Sequence, residues 1–183
     1  GTTLSSSSAA SKFYKRQLHE NLELQRKNIS SSISEEEKQK EGFVTVQHDF
    51  DTLKSMNEVC THSLAIYNNS VIGYALSMVK AFKDDIAILK PMFKEIENCV
   101  DSNLSYITMG QICIDKAFRK QGVFRGLYNA MKEHVKQEFD VIITEVDKKN
   151  TRSLNAHYAI GFELLKTYKS NNQEWVLLSW TCR

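Results

Sequence analysis

The patterning of the chain predicts one α/β (α+β) domain, with a mixed, mostly antiparallel twisted sheet flanked by helices. Three observations carry this. Strand-like and helix-like runs alternate through the second half: strand 106–114, helix 122–138, strand 140–146, helix 150–160, then strands 162–168 and 174–180. LAIYNNSVIGYALSMV (64–79) holds two β-rich runs around Asn68-Asn69-Ser70, a hairpin signal. The 183 residues, 42% of them hydrophobic, suffice for one full core and are too few for two comfortable ones.

The elements follow in order. GTTLSSSSAAS (1–11) is a polar N-terminal segment, and the domain is expected over 12–183. Tyr14, Leu18, Leu22, Gln25 and Ile29 recur at steps of four, four, three and four, one face of a helix. Ser34 stands three residues before Glu37, a capping-box spacing, and Gly42 is a natural stop for the short helix between them. GFVTVQHDF (42–50) has strand-forming residues. Behind Asp51 as a cap, Leu53, Met56 and Cys60 take helical spacing. Residues 80–105 break the strand pattern: Pro91 suits a first helical turn, and Phe93, Ile96 and Val100 share a face, so a helical insert is expected there. Phe124, Leu127, Tyr128, Met131 and Val135 give helix 122–138 a buried face.

Composition excludes several classes of partner. Lys+Arg 24 against Asp+Glu 22 leaves a net charge of +2, so no global field draws the chain to nucleic acid or an acidic membrane, and any anion site must be local. Cys60, Cys99, Cys113 and Cys182 form neither a C-x-x-C pair nor a zinc spacing with the five histidines, so no metal is expected. No apolar stretch approaches the ~20 residues of a membrane span, and the serine-rich start lacks the regions of a signal peptide. The expectation is a cytoplasmic protein with reduced cysteines.

Residues 119–126, RKQGVFRG, put two glycines and three cations where a strand hands over to a helix. A bare helix start exposes unpaired N–H groups at the positive end of the helix dipole, which suits a phosphate. Neither G-x-G-x-x-G nor G-x-x-x-x-G-K-[ST] is present, and taken alone the glycines serve a tight turn equally well. A second segment, NTRSLNAHYAIGFE (150–163), begins 28 residues after Gly122.

Together, IDKAFRKQGVFRGLYNAM and NTRSLNAHYAIGFE resemble the two signature segments of the GCN5-related N-acetyltransferase (GNAT) superfamily, over about 70 residues, 106–175. The resemblance implies a GNAT-like fold and acetyl-coenzyme A (acetyl-CoA) as acetyl donor. The superfamily pattern R/Q-x-x-G-x-G/A maps to Arg119, Lys120, Gln121, Gly122, Val123 and Phe124, with backbone N–H groups holding the pyrophosphate and Arg125 or Lys120 meeting its charge. Phe124 stands where the family has a small residue, so its ring must turn into the core or crowd the phosphates. Ile112, Cys113 and Ile114 are implied to offer backbone groups to the pantetheine arm between splayed strands, and Asn150 opens the second helix of the site.

The same resemblance points to direct transfer of acetyl to a primary amine. Glu145, near the end of strand 140–146, is a candidate base, with solvation or a lysine pair as the plainer reading. Cys113, between Ile112 and Ile114, has no base beside it, so an acyl-cysteine intermediate is disfavoured. The family's tyrosine acid falls seven residues after the helix-opening Asn, which is His157; Tyr158 is one later. Tyr158 has the chemistry and His157 the register, and Tyr158 is preferred, with water as the remaining proton source. Expected acceptors are small-molecule or peptide amines, with a homodimer compatible. The alternatives are a non-catalytic acyl-CoA sensor and a scaffold whose glycines serve folding alone.

Overall fold

The computed structural model describes residues 3–183, with side chains from Tyr14 onward. Of the polar segment 1–11, residues 1–2 lie outside the described residues, and the backbone from Thr3 belongs to α1 (Thr3–Asn28). Then follow α2 (Glu35–Glu41), α3 (Phe50–Val59), β1 (Ser63–Tyr67), β2 (Ser70–Val79), α4 (Lys90–Cys99), β3 (Tyr106–Ile114), α5 (Val123–Val135), β4 (Val141–Asp147), α6 (Thr151–Ile160), β5 (Glu163–Ser170) and β6 (Gln173–Thr181). The six strands form one sheet in the order β1-β2-β3-β4-β6-β5, antiparallel except for β3–β4, which is the mixed, mostly antiparallel sheet expected.

Local chemistry explains the boundaries. Asn68 and Asn69 (φ 47° and 63°) turn the β1–β2 hairpin, and Asn171 and Asn172 (φ 50° and 61°) turn β5–β6; asparagine tolerates this left-handed region. Ser34 caps α2 by accepting from the Glu37 N–H, and Gly42, at φ 76°, ends it. The cap of α3 is Asp49 rather than Asp51: its carboxylate accepts from the Thr52 N–H at 2.8 Å, so the helix begins two residues earlier than a cap at Asp51 implies. Pro91 sits in the first turn of α4, where its missing N–H costs nothing.

Helices α5 and α6 cover one sheet face, with Leu127, Tyr128, Met131 and Val135 against Ile107, Met109, Ile142 and Leu178. The other face carries α1, α3 and α4 over Tyr74, Leu76, Met78, Ile143 and Leu177. In β3 the alternation changes phase: Ile107 and Met109 face α5, and so do Ile112 and Ile114. The extra residue is a bulge at Gly110-Gln111, where the pairing with β2 jumps from Ala75↔Ile112 to Ser77↔Met109. No helix among the described residues is long and apolar enough to cross a membrane.

Candidate active site

β3 and β4 pair over only three rungs, Tyr106↔Val141, Ile107↔Ile142 and Thr108↔Ile143. Beyond them the Gly110-Gln111 bulge turns β3 away, and a wedge opens between the strands. On the β2 side the Asp115 N–H donates to the Ile72 carbonyl at 2.7 Å. Bonded pairs alternate along an antiparallel ladder, so Cys113 spends its backbone groups on Tyr74 while those of Ile112 and Ile114 face the wedge. Of the three residues implied to meet a pantetheine arm, Ile112 therefore presents both backbone groups to the wedge, Ile114 its N–H alone because Arg119 takes its carbonyl, and Cys113 neither.

The loop after β3 ends at Gly122, in the left-handed region (φ 81°), and no side chain caps α5. The first bond into the helix is Gly126 N–H to the Gly122 carbonyl, which leaves the amides of Val123, Phe124 and Arg125 as the unpartnered donors of the first turn. A Cβ at Gly122 would meet nothing within 4 Å, so the space before these amides is open. A cavity of about 250 Å³ lies there, bordered by Ile112, Ile114, Lys120, Val123, Phe124 and Arg152. Amides, cations and an unfilled hollow together fit a pyrophosphate.

The side chains around the loop divide their work. Arg119 is not free for a phosphate: its guanidinium donates to the Ile114 carbonyl (3.0 Å), Asn28 Oδ1 (2.5 Å) and Glu41 Oε2 (3.1 Å), tying the ends of α1 and α2 to the loop. Gln121 reaches back to the Ala117 carbonyl, and Arg125 to that of Ala159 at the end of α6. Besides the engaged Arg119, Lys120, itself at φ 61°, and Arg152 are the cations on the cavity wall. Arg152 was not singled out in the sequence, although it follows Asn150 by two. The Phe124 ring turns inward, half-buried, with centroids 5.2 Å from Tyr128 and 5.0 Å from His157, which answers the question its size raised.

Residues 42–49 form a strap across the mouth of the wedge. Val44 exchanges backbone bonds with Asn28 and Ser30, Gln111 Nε2 donates to the Val46 carbonyl, and the Gln25 amide makes two bonds to the backbone of His48. Asn150 Nδ2 holds the Phe43 carbonyl at 3.0 Å while its Oδ1 caps α6 at Ser153 N–H. Asn150 is thus the joint between strap and helix. The strand-like composition of 42–50 yields one bridge, Ile29↔Val44, and otherwise an extended strap.

Behind the strap lies a narrower cavity of about 80 Å³, with Glu145 among its walls. Burial pushes the Glu145 carboxyl up to about 7, against the pull of a hydrogen bond from the Tyr168 hydroxyl. A carboxylate that titrates near neutrality can accept a proton from an incoming amine. From the insert, Leu89 and Met92 reach this wall, while Glu95 pairs with Lys166 and Glu97 with Lys83.

The two acid candidates on α6 separate sharply. His157 is 1% exposed and Tyr158 44%, and α6 lines the cavities with Ser153, Ala156 and His157, so the phenol preferred from sequence points away from the wedge. His157 Nδ1 lies 2.7 Å from the Ser153 carbonyl, which only accepts, so that nitrogen carries the proton and Nε2 accepts from the Tyr128 hydroxyl at 2.6 Å. Burial holds the ring down to about 4. Cys113 is buried against α1, its thiol pushed up to about 12 by burial, which suits packing and not nucleophilic attack. Among the described residues no cluster of His, Cys, Asp and Glu could hold a metal ion.

These features align with known proteins. The ribosomal-protein-S18-alanine N-acetyltransferase from Escherichia coli is 13% identical, with a TM-score of 0.58 over 90% of this chain and 87% of that one. The NatC complex bound to Gag peptide and CoA is 15% identical, TM-score 0.60, over 91% of each chain. YncA, a putative acetyltransferase from Salmonella typhimurium with its cofactor acetyl-CoA, is 12% identical, TM-score 0.54, over 76% of this chain and 78% of that one. No curated protein matches by sequence. At such identities the neighbours share a fold, and the family follows from the sequence pattern itself. That pattern, the model of the Acetyltransferase (GNAT) family, matches residues 23–162, most of the chain, and the protein belongs to that family.

Proposed function

We propose that residues 12–183 form an N-acetyltransferase that moves acetyl from acetyl-CoA to a primary amine by direct transfer. The observation that carries the reading is the continuity of the wedge: from the uncapped start of α5, past the outward backbone of Ile112 and Ile114, to Glu145. Bound acetyl-CoA supplies an activated acetyl group as a thioester. The amides of Val123, Phe124 and Arg125, with Lys120 and Arg152, hold the pyrophosphate. The Ile112 carbonyl and the Ile114 N–H hold the pantetheine amides in the manner of an added strand, and the Ile112 N–H, where the two cavities meet, receives the oxyanion.

Glu145 takes the proton that the amine must lose, directly or through water, since an alkylammonium of pKa ~10 does not attack. The departing thiolate, with a conjugate acid near pKa ~8.5, takes its proton from water, because His157 has both nitrogens engaged and Tyr158 lies outside the wedge. The four unpaired cysteines agree with a cytoplasmic setting. Incubating the protein with acetyl-CoA and an amine panel tests the reading: thiol release that depends on amine supports it. Tight binding without turnover would make the protein an acyl-CoA sensor, and no binding would make it a scaffold.

A further inference from the structure

The chain uses the backbone of the strap along one edge. The Val44 N–H donates to the Asn28 carbonyl and the Val44 carbonyl accepts from Ser30, the Val46 carbonyl accepts from Gln111 Nε2, and the Gln25 amide takes both backbone groups of His48. Bonds at 44, 46 and 48 have the period of an extended strand, in which the residues between turn their N–H and C=O groups the other way. On that second edge Asn150 Nδ2 holds the Phe43 carbonyl. Among the described residues none bonds to the backbone of Thr45 or Gln47, so two donors and two acceptors stand there at strand spacing. Thr45 lines the inner cavity together with Glu145, while Gln47 is exposed and lies beyond it, so the free edge leads from the candidate base to the surface.

Building on the N-acetyltransferase reading, we propose that the acceptor is the amino terminus of an extended polypeptide, which pairs with the free edge of the strap as an added strand. Asn150 closes that edge at Phe43, so the pairing stops inside the wedge, where a chain end fits and a chain middle does not. A peptide that enters terminus first runs parallel to the strap. Its first carbonyl accepts from the Thr45 N–H, and its third residue donates to the Thr45 carbonyl and accepts from the Gln47 N–H. The second and fourth residues turn their backbone groups away. The terminal nitrogen, its proton passed to Glu145, attacks the thioester carbonyl: a C–N bond forms, the C–S bond breaks, and the thiolate takes a proton from water. Main-chain pairing gives an affinity that a lone amine, with nothing to lay along the strap, does not gain.

Matched probes test this with the full chain. For Ala, Ser, Met and Leu in turn as first residue, the single-residue amide is compared with the pentapeptide amide that continues in alanines, so that the amine and the first side chain are the same. Expected for the preferred residue is a kcat/KM about tenfold or more higher for the pentapeptide. N-methylation of its third residue, which removes the donor to Thr45, should cost about tenfold or more, and N-methylation of its fourth less than about threefold. Gln47→Pro deletes the N–H that the third residue would meet, in an extended segment that suits proline, and should bring the ratio of pentapeptide to single-residue kcat/KM toward one. The N-methyl series needs only the unaltered protein. Equal kcat/KM for pentapeptide and single-residue amide, or equal losses at the third and fourth residues, overturns the strand pairing and leaves the transferase reading standing. Faster transfer to a lysine side chain in a peptide with a blocked terminus overturns the choice of the amino terminus. Thiol release with none of these amines, under conditions where coenzyme A binds, overturns both.

Discussion

The Tyr128 hydroxyl meets His157 Nε2 at 2.6 Å, joining α5 to α6 through two side chains that are essentially without solvent exposure. His157→Phe removes the imidazole acceptor of that buried hydroxyl, a loss of about 1–3 kcal/mol. The expected result is a lower urea midpoint, with turnover of the folded fraction nearly unchanged. A hundredfold fall in kcat at unaltered stability would instead make His157 the acid, on the scale of about 10²–10⁴ for such groups.

The same burial sets a pH limit on the fold. His48, His62 and His157 are each held down to about 4 by burial, from 6.5. The unfolded chain then binds more protons between those values, so stability is complete above pH 6.5 and declines as pH falls toward 4, by up to about 3 kcal/mol per ring. Melting temperature should drop across that window, and less steeply in His157→Phe.

Glu145 shows the opposite sign. Its carboxyl is raised to about 7 from 4.5, so the folded state keeps a proton that the unfolded chain releases, and the carboxylate destabilises the fold as pH rises through that interval. Glu145→Gln should raise stability by up to about 3 kcal/mol at pH 8 and by little at pH 4. It should also lower kcat by about a hundredfold or more and remove a rising limb of the rate profile centred near 7. A rate profile flat from pH 6 to 8 in the unaltered enzyme would move the base elsewhere.

Gly122→Asp puts a carboxylate into the hollow before α5 and should weaken coenzyme A binding at least tenfold, about 1.4 kcal/mol. Gly122→Asn is the control, because asparagine tolerates φ 81° without adding charge. Equal calorimetric affinities for the two variants would remove the phosphate from this loop.

Phe124→Ala tests the departure from the family pattern. The ring is half-buried against Tyr128 and His157, so its removal should cost about 2 kcal/mol, below the ~3–5 of a fully buried phenyl. Unchanged stability together with tighter coenzyme A binding would show a ring that crowds the ligand.

The two halves of the site differ in how they were written into the sequence. The donor half is largely local: Gly122, its cationic neighbours and the following apolar face lie within one strand-loop-helix run, so the segment is visible in sequence, and its pairing with NTRSLNAHYAIGFE distinguishes it from a plain turn. The acceptor half is assembled from Phe43, Met92, Glu145 and Trp175, which only the folded sheet brings together. Even within α6 the sequence left a choice, because His157 and Tyr158 are ~100° apart on a helix whose apolar face is short. The packing of Phe124 and Tyr128 on His157 decides which points inward. The strap shows the limit of propensity: FVTV is β-rich, yet side-chain amides of Gln25, Gln111 and Asn150, rather than a strand ladder, hold it.

Phe43, Val44, Ile112 and Ser153 line both cavities, as a party wall between donor and acceptor. Leu89, Met92 and Trp175 touch the acceptor side alone. Sequence drift at the shared positions alters two substrates at once and is constrained accordingly, whereas drift at the unshared ones retunes the amine and leaves the coenzyme untouched. On the proposed transferase reading, the route by which this scaffold would acquire new acceptors runs through the insert and β6.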